Sequence, residues 1–143
     1  MRRSRTTVPS TAEGPLYADS SALVKLVLDE PESAALERFV GDPVALITSE
    51  LAIVEVRRAV RIADPAWNAA VEAEELLTSL ELVSVSTHVL RRASELASLE
   101  LRTLDAIHVA SAERVGAGSV VTYDRRLAEA AERLGLTVSS PGR

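Results

Sequence analysis

Short apolar runs alternate along this chain with longer segments in which apolar residues recur every three or four positions. Leu16-Tyr17-Ala18 is the first such run and predicts a strand over residues 16–18. From Ser20 to about Leu28, the residues Ala22, Leu23, Leu26 and Val27 share one side of a helix. Glu30-Pro31 breaks it, and Pro31 suits the first turn of a second helix reaching about Val40. Beyond the Gly41-Asp42-Pro43 loop, Val44-Ala45-Leu46-Ile47-Thr48 is continuously apolar over a strand length, as expected for a strand covered on both faces. Ser49 is placed to cap a helix from Glu50 to about Ala63. Asp64-Pro65 then restarts a helix running to about Leu80, with Trp67, Ala70, Val71, Glu74 and Leu77 along one stripe.

The second half repeats the alternation. Leu82-Val83-Ser84-Val85 predicts a third strand, and Thr87 a cap for a helix to about Leu99. Thr103 is placed to cap a helix through about Val115, closed by Gly116 and Gly118. Ser119-Val120-Val121-Thr122 is a fourth strand, Asp124 opens a helix that ends at Gly135, and Thr137-Val138-Ser139 is a short fifth strand. Strands separated by helices imply an α/β fold of three layers: a parallel sheet of about five strands with helices on both faces.

Composition narrows the chemistry. With 47% apolar residues in 143, the chain carries enough for one folded core, and with 3% aromatics that core is built from Ala, Leu and Val. There is no cysteine and there are two histidines, His88 and His108, which excludes disulfides, thiol nucleophiles and zinc sites rich in sulfur or histidine. Any bound metal must be held by oxygen, which points to Mg²⁺ or Mn²⁺. The formal net charge is −5, and residues 1–14, with three arginines and one glutamate, leave −7 on the remainder. No global positive field draws in nucleic acid. Lys25 is the one lysine among 16 cationic residues; the rest are arginines, which clamp phosphate bidentately where they line a groove. No stretch approaches about 18 consecutive apolar residues, so no membrane span is expected. The N-terminus lacks the apolar core of a signal peptide, and a cytoplasmic protein is the expectation.

Four acids stand out by position. Asp19 and Asp124 each follow directly on a strand, and ligands of open parallel sheets bind beyond the carboxyl ends of the strands. Taken singly, each is an ordinary helix cap. Glu55 shares its helix side with Leu51, Ala59 and Ile62, all within about 40° of it, and so projects from an apolar face; a solvated rim or a pair with Arg58 is the plainer alternative. Asp105 shares a face with Val109 and Ala112, with His108 one turn away as a core or supporting residue; a first-turn acid facing the helix dipole is its plainer alternative. Gathered together, such carboxylates repel, by about 4 kcal/mol for two charges 4 Å apart at an effective dielectric near 20. A hard divalent cation relieves that repulsion most simply.

At these residues a family resemblance enters. Tyr17-Ala18-Asp19-Ser20-Ser21-Ala22-Leu23-Val24-Lys25 resembles the opening motif of PIN-domain ribonucleases, most closely the VapC toxins of bacterial toxin–antitoxin pairs. Ser49-Glu50-Leu51-Ala52-Ile53-Val54-Glu55-Val56-Arg57-Arg58 resembles their glutamate helix, Leu104-Asp105-Ala106-Ile107-His108-Val109-Ala110 their third motif, and Thr122-Tyr123-Asp124-Arg125-Arg126-Leu127 their fourth. The likeness covers residues 16 to about 140, which makes 15–143 a single PIN domain and residues 1–14 a disordered extension or a misassigned start. It implies RNA cleavage dependent on Mg²⁺ or Mn²⁺, with Asp19, Asp105 and Asp124 as direct ligands. Glu55 then acts through a bound water or as a base. Ser20 and Thr122 position water or phosphate, or serve simply as cap and strand-end residues. Arg57, Arg58, Arg125 and Arg126 are candidate RNA contacts or a solvated face. The likeness further implies a homodimer and a cognate VapB-type antitoxin. The surplus apolar residues Ile53, Val54, Val56 and Val60 suit a dimer contact, an antitoxin groove or a centrally packed helix.

Four other readings fit less well. A receiver-like Mg²⁺ switch wants paired acids after its first strand and a lysine near the pocket, whereas the lone lysine here lies in the first helix. A catalytically silent binding module has no need of all four acids. A phosphatase with an aspartate nucleophile wants a second acid two residues after Asp19, where Ser21 stands. A nucleotide fold wants its glycines to open a helix, and Gly116-Ala117-Gly118 follows one.

Overall fold

A computed structural model describes residues 14–143; the expected extension at the N-terminus otherwise lies outside the described residues. The order of elements is β1 (Leu16–Ala18), α1 (Ser20–Lys25), α2 (Ser33–Val40), β2 (Ile47–Ser49), α3 (Leu51–Ala63), α4 (Ala70–Ser79), β3 (Glu81–Val83), α5 (Thr87–Ser94), α6 (Thr103–Arg114), β4 (Ser119–Val121), α7 (Arg125–Arg133) and β5 (Val138–Ser139). The strands form one parallel sheet in the order β3-β2-β1-β4-β5. The chain builds outward from β1 through β2 to β3, then returns to the other side of β1 for β4 and β5. The switch point therefore falls between β1 and β4, where Tyr17 pairs with Val120 and Ala18 with Val121.

Strand alternation divides the core. Ala18 and Val121 face the layer of α1 to α4, packing with Leu23, Leu36, Val56, Val60 and Leu77. Their neighbours Tyr17 and Val120 face the layer of α5 to α7, with Val89, Ile107, Val109 and Leu127. The expected three-layer α/β fold is the observed one.

Several boundaries move, each for a local reason. Helix α1 ends at Lys25 instead of near Leu28, its last turn closing through Leu26 N–H to the carbonyls of Leu23 and Val24. The strand expected over 44–48 is Ile47–Ser49, and the one expected over 82–85 is Glu81–Val83. Asp64 does not restart a helix. Its carboxylate accepts from Ala69 N–H at 2.8 Å, Trp67 sits at φ 61, and α4 begins only at Ala70. The stripe expected along this helix also fails, because Val71 is 64% exposed and the buried side is Ala73, Leu76 and Leu77. Ser86 and not Thr87 caps α5, and α6 starts after Arg102 with no side-chain cap from Thr103. Asp124 caps α7 through Leu127 N–H, as expected, and Gly135 follows it at φ 84.

Candidate active site

The carboxyl end of β1 delivers Asp19 as the N-cap of α1. Oδ1 accepts from Ser21 Oγ at 2.7 Å and from Ala22 N–H at 3.2 Å, and Oδ2 accepts from Thr122 Oγ1 at 2.7 Å. Thr122 Oγ1 also accepts from Asp124 N–H at 3.0 Å, and Ser21 Oγ from Tyr123 N–H at 3.0 Å. These bonds tie the end of β1 to the end of β4 across the switch point. Asp19 is 4% exposed. Burial pushes its carboxyl above the ordinary range, against the pull of the Ser21 and Thr122 hydroxyls.

Asp124 opens α7 with one oxygen on Leu127 N–H at 3.0 Å, so cap and site residue are the same group. Asp105 lies in the first turn of α6. Its carboxyl is raised first by burial and then by the charge of Asp124; Asp19 and Glu55 add to the rise. Asp124, Asp19 and Glu55 therefore all lie within electrostatic reach of Asp105. Among the described residues no three His, Asp or Glu side chains close on a common point, so the acids share one edge without forming a finished cage. The donor set is all oxygen, and the repulsion felt at Asp105 is the deficit a hard cation corrects.

Glu55 corrects the sequence reading in part. Its helix buries Ala52, Val56 and Val60, while Ile62, expected beside Glu55 on an apolar face, is 73% exposed. Glu55 stands at the flank of the buried stripe. Its partner is not Arg58 but His108, whose Nε2 lies 2.6 Å from Glu55 Oε1. His108 is 1% exposed, and its Nδ1 lies 2.7 Å from the Tyr17 hydroxyl.

The remaining candidates divide. Thr122 bonds Asp19 directly, but Ser20 begins α1 and the hydroxyl that reaches Asp19 is that of Ser21. Arg57, Arg58, Arg125 and Arg126 are exposed. Arg57 pairs loosely with Glu74 at 3.3 Å, and Arg57 and Arg58 line a surface pocket of about 260 Å³ with Arg61, Ile62 and Trp67, which none of the four acids lines. Lys25 bonds Glu30 and Glu32 at 3.0 and 2.8 Å, so the one lysine is engaged by two acids outside the candidate set, unlike the lysine of a receiver pocket. Sequence reasoning missed Ser21, although two residues after an N-cap acid is where a hydroxyl folds back. Tyr17 carries no local signal of a role, because its partner His108 is distant in sequence.

A doubly covered parallel sheet with its acids gathered at the switch point defines a class of α/β protein before any comparison is made. A family model described as "PIN domain" matches residues 16–133, and the chain belongs to that family. Within it the VapC proteins are the near relatives. "Ribonuclease VapC46" of Mycobacterium tuberculosis is 44% identical over 128 residues, covering 88% of this chain and 97% of the relative. "Ribonuclease VapC35" of the same species is 41% identical over 133 residues, covering 89% and 97%. A solved "Toxin-antitoxin complex from Klebsiella pneumoniae" superposes with a TM-score of 0.69 at 17% identity, over 88% of this chain and 97% of that one, a likeness of fold.

Proposed function

We propose that this chain is an endoribonuclease dependent on Mg²⁺ or Mn²⁺, the toxin of a type II toxin–antitoxin pair. The observation that carries the reading is the electrostatic convergence of Asp124, Asp19 and Glu55 on Asp105 at the β1–β4 switch point, in a chain 44% identical to a named ribonuclease. Asp19, Asp105 and Asp124 hold the cation in this reading. When bound, it supplies Lewis acidity to a phosphate oxygen and to a water. Glu55 would orient the attacking water or take its proton, and Thr122 and Ser21 keep Asp19 in place. The exposed arginines 57, 58, 125 and 126 flank Glu55 and Asp124 in sequence and meet RNA phosphates, locally reversing the sign of an acidic protein.

A VapB-type antitoxin blocks the site, and the protein works in the cytoplasm as a homodimer. The exposed apolar residues Ile53, Val54, Ile62 and Val71 of α3 and α4 favour such contacts. Among the described residues no helix is long and apolar enough to cross a membrane. Cleavage of total RNA by purified protein with Mg²⁺, with Mn²⁺ and with chelator tests the reading. Discrete metal-dependent cuts support it; cuts that survive chelation or the Asp105→Asn substitution reject it.

A further inference from the structure

Tyr17 and His108 stand behind Glu55 without a part in the chemistry so far. A glutamate carboxylate only accepts hydrogen bonds, so the contact of 2.6 Å between His108 Nε2 and Glu55 Oε1 requires the hydrogen on Nε2. The other end of the ring is set by Tyr17. Its side chain is 0% exposed, and its phenol carries one hydrogen to donate. The hydroxyls beside it spend their own protons on main-chain carbonyls, Thr48 on Ala18 and Ser111 on Ile107, each at 2.7 Å. One arrangement satisfies every group without a buried cation: the Tyr17 hydroxyl donates to Nδ1 at 2.7 Å, and a neutral ring donates from Nε2 to Glu55.

We infer that Tyr17 and His108 are positioning residues of the nuclease, acting through Glu55; the inference rests on the nuclease reading above. The three side chains come from β1, α6 and α3, so the glutamate is anchored across both helical layers. A glutamate at the flank of a helix otherwise samples several rotamers. The bond at Oε1 holds one of them and leaves Oε2 for water. Misplacement of a reacting group by about 1 Å costs on the order of 100-fold in rate. A histidine that merely filled the core would influence stability and leave turnover alone.

The test compares wild type with His108→Leu, His108→Gln and Tyr17→Phe. RNA cleavage is measured as kcat and KM, and the imidazole ¹⁵N spectrum is recorded without metal at neutral pH. The exposed His88, the other histidine of the chain, serves as the internal reference. The expected spectrum has His108 neutral with hydrogen on Nε2, and a mixture of tautomers in Tyr17→Phe. The expected kcat falls about 10–100-fold in His108→Leu with KM little changed, and His108→Gln, whose amide can still donate, restores most of it. A hydrogen on Nδ1, alone or on both nitrogens, overturns the inference. So does a His108→Leu protein that cleaves at the wild-type rate. Should wild type cleave nothing, the nuclease reading falls, while the tautomer and its dependence on Tyr17 still decide how Glu55 is held.

Discussion

At the amino end of β1 and β4 two backbones touch. Gly118 N–H donates to Pro15 O at 2.8 Å, and a Cβ on Gly14, at φ 109, would lie 2.6 Å from Gly116 O. At the carboxyl end of the same two strands the groups are charged: Asp19, buried and hydrogen-bonded, beside Asp105, raised by burial and by the charge of Asp124. Among the described residues, the amino end is a close approach of backbone to backbone. At the carboxyl end burial, and at Asp105 also the neighbouring acids, disfavour the ionised carboxylates. Selection for stability alone does not build such an edge, and the difference is the reason the proposed site is placed at the carboxyl end of the sheet.

The comparison is broken most severely by removing an acid. Asp105→Asn is expected to lower RNA cleavage by at least about 100-fold, read by a time course under saturating metal. The same substitution is expected to raise the melting temperature without metal, because repulsion at that edge is relieved. At the opposite edge Gly14→Val is expected to do the reverse. It destabilises by about 1–3 kcal/mol in chemical denaturation, since the new side chain meets backbone and the positive φ disfavours it, while the folded fraction keeps its cleavage rate.

How far the sequence disclosed these two edges depends on the range of the interactions involved. Asp19 and Asp124 were legible because a strand followed by a capping acid is a local signal. The sheet was legible from short apolar runs. The place of Glu55 was not, because Ile62 lies in the same angular sector yet faces solvent; which part of α3 is covered depends on α1 and α4. The late start of α4 was hidden in the turn at Asp64, Trp67 and Ala69, where the cap bond spans five residues. Tyr17 and His108 lie 91 positions apart, and their contact has no signature in local pattern.

A smaller effect sharpens the account of the carboxyl edge. Thr122→Val keeps the shape but removes the hydroxyl that donates to Asp19 Oδ2 and accepts from Asp124 N–H, and is expected to cost about 1–3 kcal/mol in urea denaturation. Acid titration gives the sign of the Asp105 contribution. A carboxyl whose folded pKa lies above its unfolded one binds its proton more tightly when folded. Its penalty is absent below the unfolded value, grows as pH rises toward the folded value, and is complete above it. The metal-free protein is therefore expected to gain stability relative to Asp105→Asn as pH falls through that window. The smallest effect lies away from both edges: Arg92→Ala, which breaks the half-exposed pair with Glu113, is expected to cost under about 1 kcal/mol.

The central claim, that the acids of the carboxyl edge are gathered for a cation, is tested most directly by thermal unfolding of wild type and Asp105→Asn over a Mn²⁺ titration. The account predicts that wild type starts lower and climbs with Mn²⁺, because an ion that binds only the folded state stabilises it by mass action, while the variant starts higher and stays flat. Equal climbs in both proteins, or no response in wild type, would contradict it.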